Sequence, residues 1–169
     1  VSIQAKKQHA VTLFQQRQIR PAMELFEQIC SQAKKDFEAW VYLGITQSML
    51  GDPVGAEKSL LRAVKLQPAN ALAHFNLACA LEKNRKYAES ANEYQRATRI
   101  NPGYFEAWHN LGGVLRTLGQ TTAAAGAFSR ATELNPQSAE SYRGLASTYV
   151  TQGKAREAAE ICRKVLALN

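Results

Sequence analysis

The side chains equipped for chemistry in this chain are few and scattered. Three histidines (His9, His74, His109) and three cysteines (Cys30, Cys79, Cys162) occur in 169 residues. The cysteines lack the short paired spacings of a zinc site, so no metal is expected. Three thiols cannot all pair with one another. They read as reduced, mostly packed cysteines of a cytoplasmic-type environment. His9 and His74 stand where other stretches carry Leu and an aromatic residue, so both read as core or near-core. No glycine-rich phosphate loop is present, and Gly112-Gly113 falls mid-helix, where small size serves packing. The tryptophans and other aromatics read as core rather than as a base-stacking platform. No catalytic residue and no cofactor is expected.

The elements that position these residues recur at a fixed step. Trp40, His74, Trp108 and Tyr142 are spaced 34 residues apart, as are Pro68, Pro102 and Pro136. The clearest copy, Phe105 to Pro136, carries Trp108, Leu111, Gly112, Leu115, Gly119, Ala124, Phe128, Ala131 and Pro136 in register. Such a period marks stacked units that bury their apolar faces only against neighbours. The run of Trp, Leu-Gly, a large residue, Ala, Phe, Ala and Pro resembles the tetratricopeptide repeat, a helix-turn-helix unit. The resemblance covers essentially the whole chain. It implies an all-α fold, an α-solenoid built as a right-handed superhelix of antiparallel helix pairs. One domain is expected over residues 1–169, with repeats at about 3–36, 37–70, 71–104, 105–138 and 139–169.

The copies are unequal. In the first, Lys6 replaces the aromatic, His9 the Leu and Lys34 the Pro, which suits a polar end repeat. In the second, Gly51 ends one helix, Asp52 caps the next and Pro53 fits its first turn. Gly44 with Ala56, Ala78 with Ser90, and Gly112 with Ala124 are small pairs that let helices approach, while Tyr94 and Phe128 are bulky plugs. The fifth copy ends without a polar capping helix. Ile161, Val165 and Leu168 should therefore line an apolar face that a second copy, or further chain, covers. The opening VSIQAKKQHA lacks both a Met and an apolar signal region, and the chain stops at Asn169 where a Pro is due. A segment of a longer protein is the expectation.

The formal charge is +7, from 21 Lys and Arg against 14 Asp and Glu. The basic residues are scattered over second helices and turns, interleaved with Glu57, Glu93, Glu133 and Glu160. That pattern reads as a solvated surface rather than a nucleic-acid footprint. No run of about 20 apolar residues exists to insert in a membrane.

In proteins with this repeat, first helices line a concave groove, and the resemblance implies the same here. Lys7, Val41, Tyr42, Ile45, Phe75, Asn76, Cys79, His109, Asn110 and Arg143 are the residues expected to bind an extended peptide or partner helix. One turn further lie Phe14, Ser48, Glu82, Arg116 and Val150. Asn76 and Asn110 share one repeat position, which is similar to the asparagine ladder of O-linked N-acetylglucosamine transferase; Gln8, Tyr42 and Gly144 break the pattern. A carboxylate clamp of the chaperone-binding kind is not expected, since Val11 stands where its Asn belongs and no later helix offers the paired Lys and Arg. Cys79 and His109 would face the groove from adjacent repeats, but nothing orients the imidazole for nucleophilic catalysis. The reading is a non-catalytic scaffold that binds a protein or peptide. The alternatives are a substrate-recruiting arm of a larger enzyme, such as a glycosyltransferase or sulfotransferase, and a homo-oligomer formed through the last helix.

Overall fold

The structure, a computed structural model, describes residues 2–167. Among the described residues there are ten helices and no strand, in two compact units divided after Lys86. The first unit holds α1 (Ile3–Gln15), α2 (Ile19–Gln32), α3 (Phe37–Met49), α4 (Pro53–Leu66) and α5 (Ala71–Lys83). The second holds α6 (Tyr87–Ile100), α7 (Phe105–Thr117), α8 (Thr121–Leu134), α9 (Ala139–Thr151) and α10 (Ala155–Ala167).

Local chemistry explains the helix ends. Ser2, Asp36, Asp52, Asn70 and Ser138 each accept the backbone N–H three residues on, which satisfies a donor that the first helical turn leaves unpaired. Pro53 follows Asp52 at the helix start, where its missing N–H costs nothing. At the other ends, Arg17, Gly51, Arg85, Gly119 and Gly153 take left-handed backbone angles, φ between 60° and 82°. Each is followed by a residue whose N–H returns to the helix: Gln18 to Leu13, Asp52 to Gln47, Lys86 to Leu81, Gln120 to Leu115 and Lys154 to Tyr149, all at 2.9 Å. This is a Schellman closure, repeated at the turns after α1, α3, α5, α7 and α9. Two of the five steps force an arginine into a conformation that glycine adopts without a Cβ penalty.

The aromatic position of the repeat carries a polar duty as well as bulk. Trp40 donates its indole N–H to the Lys34 carbonyl at 3.1 Å, and Trp108 donates to Pro102 at 3.0 Å. His74 places Nε2 2.9 Å from the Pro68 carbonyl while its ring is almost fully buried. A carbonyl accepts only, so this nitrogen carries the proton. Histidine therefore replaces tryptophan by keeping a ring N–H in the same place.

In the first unit, Ala10, Ala22, Phe26, Ile29, Cys30, Ala39 and Leu43 form a buried cluster. Leu60, Leu77 and Leu81 form another around Ala56 and Ala80. A Cβ on Gly44 would meet Leu60 Cγ at 2.5 Å, so Leu60 rather than Ala56 exploits the missing side chain. In the second unit Phe128, Ala125 and Leu145 are buried with Tyr149 and Ile161 against them. Phe128 sits between two glycines: a Cβ on Gly112 would lie 2.8 Å from its ring, and one on Gly144 2.5 Å.

Four expectations are corrected. His9 is exposed, whereas its counterpart Leu43 is buried against the α2 residues Phe26, Ile29 and Cys30; among the described residues no helix packs on His9 in the same way. Cys162 is exposed, not packed, whereas Cys30 is buried and Cys79 half-buried; none is disulfide-bonded. Gly113 serves no packing, since a Cβ there would meet nothing within 4 Å. Ile161 packs in part onto the Phe128 cluster, which covers some of the face expected to be open, and Val165 is half-buried, while Leu166 is 76% exposed. Leu168 falls outside the described residues. No helix among them is long and apolar enough to cross a membrane.

Candidate functional site

On the first helices of the first unit, aromatic rings dominate. Tyr42 lies flat on Phe26, with centroids 5.0 Å apart and planes 4° apart, and meets Phe14 edge-on at 5.4 Å. Such pairs add about 0.5–1.5 kcal/mol beyond burial, so Tyr42 is held rather than swinging free. Ile45, Phe75, Asn76 and Cys79 are half-buried on the same helices. Asn76 donates its amide N–H to its own helix at Leu72 O, 2.8 Å away.

Two residues expected on this face are committed elsewhere. Val41 is 5% exposed and packs with Ala63 and Ala73, because α4 and α5 close over it. It is a core residue. Lys7 is ion-paired with both Asp36 and Glu38, with Nζ 3.0 Å from Asp36 Oδ1. Burial alone would lower its pKa, but the hydrogen bonds it donates to Glu38 and Asp36 reverse this and hold it above the ordinary lysine value. A lysine so neutralised is not available to clamp a partner's carboxylate.

The second unit has a cleft of about 350 Å³ between α7 and α9. Phe128 forms part of its lining, and Gly113 and Gly144 contribute no side chains to fill it. Arg116, Arg143 and His109 bring positive charge or donors to it, and Glu140 one carboxylate. Arg116 donates to Ser147 Oγ at 3.1 Å, while Arg143 has no carboxylate partner among the described residues. His109 is fixed from two sides. Its Nδ1 lies 2.8 Å from Ser141 Oγ, and its ring edge meets Phe128 at 5.7 Å between centroids. Asn110 donates to the Tyr94 hydroxyl at 3.2 Å. Among the described residues the Oδ1 of Asn110, like that of Asn76, accepts no hydrogen bond.

Ser141, His109 and Glu140 imitate a nucleophile, base and orienting acid in sequence of contact, with Nε2 3.8 Å from Glu140 Oε1. Their burial is wrong for that task. Ser141 is wholly buried and its hydroxyl is also 3.0 Å from Ser138 Oγ, so its oxygen cannot meet a substrate carbonyl. The contacts orient the imidazole. Among the described residues, no three His, Cys, Asp or Glu side chains converge to hold a metal ion.

The structure thus brings His109 and Arg143 into one cleft with Arg116, and leaves Asn110 bonded to Tyr94. Phe128, Glu140 and Ser141 were not foreseen there. A signal for Phe128 existed: Phe26, Leu60, Tyr94 and Phe128 recur every 34 residues, and Phe26, Tyr94 and Phe128 each meet the residue 16 positions on: Tyr42, Asn110 and Gly144.

A family model described as tetratricopeptide repeat matches residues 50–105, 75–137 and 109–169. Among solved structures, one of MamA matches with a TM-score of 0.90 at 23% identity, covering 94% of this chain and 93% of that one. MamA from Desulfovibrio magneticus RS-1, from residue 41 to its end, matches at 0.91 and 20% identity, covering 98% and 94%. YrrB, described as a TPR protein with an unusual peptide-binding site, matches at 0.86 and 19% identity, covering 97% and 84%. At these identities the likeness shows the fold. No curated protein matches the chain.

Proposed function

We propose that this chain, which belongs to the tetratricopeptide repeat family, is a protein-interaction scaffold whose first helices hold an extended peptide or helix of a partner protein. It performs no chemistry on what it binds. The observation that carries this reading is the α7–α9 cleft: the Phe128 ring seated against Gly144 in its lining, open space beside Gly113, and Arg116, Arg143 and His109 gathered around one volume. An apolar surface with a few oriented polar groups is what a bound segment requires for affinity and register. The unused Oδ1 of Asn110, in the same unit as the cleft, suits a backbone N–H group of a bound chain, whatever its sequence. The description of YrrB as having a peptide-binding site supports the same use.

The test starts from peptides selected on the intact chain from a displayed random library. Arg143→Glu combined with Asn110→Ala should weaken a selected peptide by about tenfold or more, as expected for losing a hydrogen bond to a charged group. Circular dichroism must show equal helicity. Selected peptides that bind the double variant as well as the parent would refute the assignment to these helices.

A further inference from the structure

A larger cavity lies in the first unit, away from the faces discussed above. It measures about 550 Å³ and is bounded by α2, α3 and α4. Cys30, Trp40 and Leu43 line it, Cys30 and Leu43 being buried and Trp40 half-buried. Burial pushes the Cys30 thiol up to about 12, with Asp36 and Glu27 adding to the effect, so this part of the lining is uncharged at neutral pH. The indole N–H of Trp40 is already spent on the Lys34 carbonyl. What this part of the wall offers is apolar.

The exposed lining is basic. Lys34, Lys58 and Arg62 line the cavity against a single carboxylate, Glu27. None of these four is ion-paired among the described residues. Lys58 and Arg62 are one turn apart on α4, so both reach the same side of the cavity. The corresponding positions of the second unit lack this rim: Pro102 stands for Lys34 and Gly126 for Lys58, while Arg130 is paired with Glu133 at 2.7 Å. The charge belongs to this copy and not to the repeat.

We infer that this cavity is a second binding site, one that takes an acidic protein segment by seating one aliphatic or aromatic side chain on Cys30, Trp40 and Leu43 and pairing flanking carboxylates with Lys34, Lys58 and Arg62. Buried apolar contact supplies attraction, and unpaired cations select against basic segments. The site lies outside the α7–α9 cleft and stands or falls separately from it. A nucleic acid would meet the cations but has no apolar side chain for the wall, and the indole face is only half open to stacking.

The two tryptophans supply the experiment, because Trp108 makes the same indole bond in the second unit without the basic rim. The intact chain is titrated with the capped peptide Glu-Asp-Leu-Glu-Asp while the indole N–H resonances are followed by NMR, assigned with Trp108→Phe. The Trp40 resonance should move saturably and that of Trp108 stay still. Replacing the peptide's Leu by Ala, or its acids by Lys, should weaken the response by about tenfold or more. Lys58→Glu with Arg62→Glu should do the same, and Lys34→Glu serves alone if that double variant loses helicity. A Trp40 signal that never moves, that answers the lysine peptide equally, or that survives charge reversal overturns the site. Movement with a thymidine oligonucleotide and not with the acidic peptide overturns it in favour of a nucleic-acid surface.

Discussion

The two units carry the same periodic positions and use them differently. Where the first unit stacks Tyr42 on Phe26, the second sets Asn110 against Tyr94 through a hydrogen bond and Gly144 against Phe128 through bare proximity. The second-helix plug stays aromatic in these three pairs while the residue 16 positions later shrinks from Tyr42 to Asn110 to Gly144, so both volume and polarity change along the series. The first unit thereby closes its first-helix face with rings, and the second opens a cleft beside Phe128. Charge divides in the same way: Lys34, Lys58 and Arg62 stand without carboxylate partners, whereas Arg130 is matched by Glu133. A repeat pattern specifies where bulk must go; it leaves open what the remaining surface is for.

The largest effect that would break this comparison is at the adjacent glycines of α7. Gly112→Ala drives a Cβ to 2.8 Å from a ring that Gly144 already confines on its other side. Overpacking of about 1–3 kcal/mol outweighs the 0.5–1 kcal/mol that alanine gains over glycine in a helix. Gly113→Ala meets nothing within 4 Å and should raise stability by roughly 0.5–1 kcal/mol while narrowing the cleft. Urea unfolding of both variants reads the opposite signs, and Phe128→Leu should relieve the first. Equal effects would mean that Phe128 is not confined as described.

A smaller effect sharpens the comparison of the turns. Arg85→Gly removes a side chain from a left-handed position, φ 60°, whose counterparts are Gly51, Gly119 and Gly153. It should stabilise the protein by roughly 0.5–1 kcal/mol, and Arg17→Gly, at φ 62°, should act similarly. Denaturation midpoints at constant m-value check this. No gain would mean that the arginine side chain repays its strain elsewhere.

A further effect separates the units by pH. Lys7 and Cys30, both in the first unit, have pKa values raised by folding, so the folded state holds their protons more tightly. Their contribution is complete below the ordinary thiol and lysine values. It is lost as pH climbs through the raised ones, from about 9 to about 12 for Cys30. Unfolding at about pH 8 and about pH 11 should show a loss that Lys7→Met with Cys30→Ala reduces. Amide exchange should place that loss in the first unit. An unchanged pH slope in the variant would count against it. Thiol labelling gives an independent reading: exposed Cys162 should react first and buried Cys30 last.

Much of the fold was legible because it is written in local chemistry. Asp52 caps, Pro53 starts and Gly51 stops for reasons that involve only their own neighbours in the chain, and the 34-residue step repeats those reasons. The position of His74 was also readable, although its hydrogen bond to Pro68 was not. The candidate site was legible only in part. His109 and Arg143 line one cleft, on first helices that the resemblance to the repeat had singled out, but Val41 was closed over by α4 and α5, and Lys7 was ion-paired by Asp36 and Glu38. The cavity beside Trp40 had no signal in periodicity, because its lining gathers residues from three helices and one turn.

What the sequence determined by itself was the repeat, its helix ends and the type of residue at each packing position. These follow from backbone hydrogen bonding and from side-chain volume, both of which act over a few residues. Only the tertiary structure decided which of those residues face solvent, which charges find partners and where space is left. Burial and ion pairing depend on side chains that arrive from other helices, and a sequence read in order does not show which of them arrive.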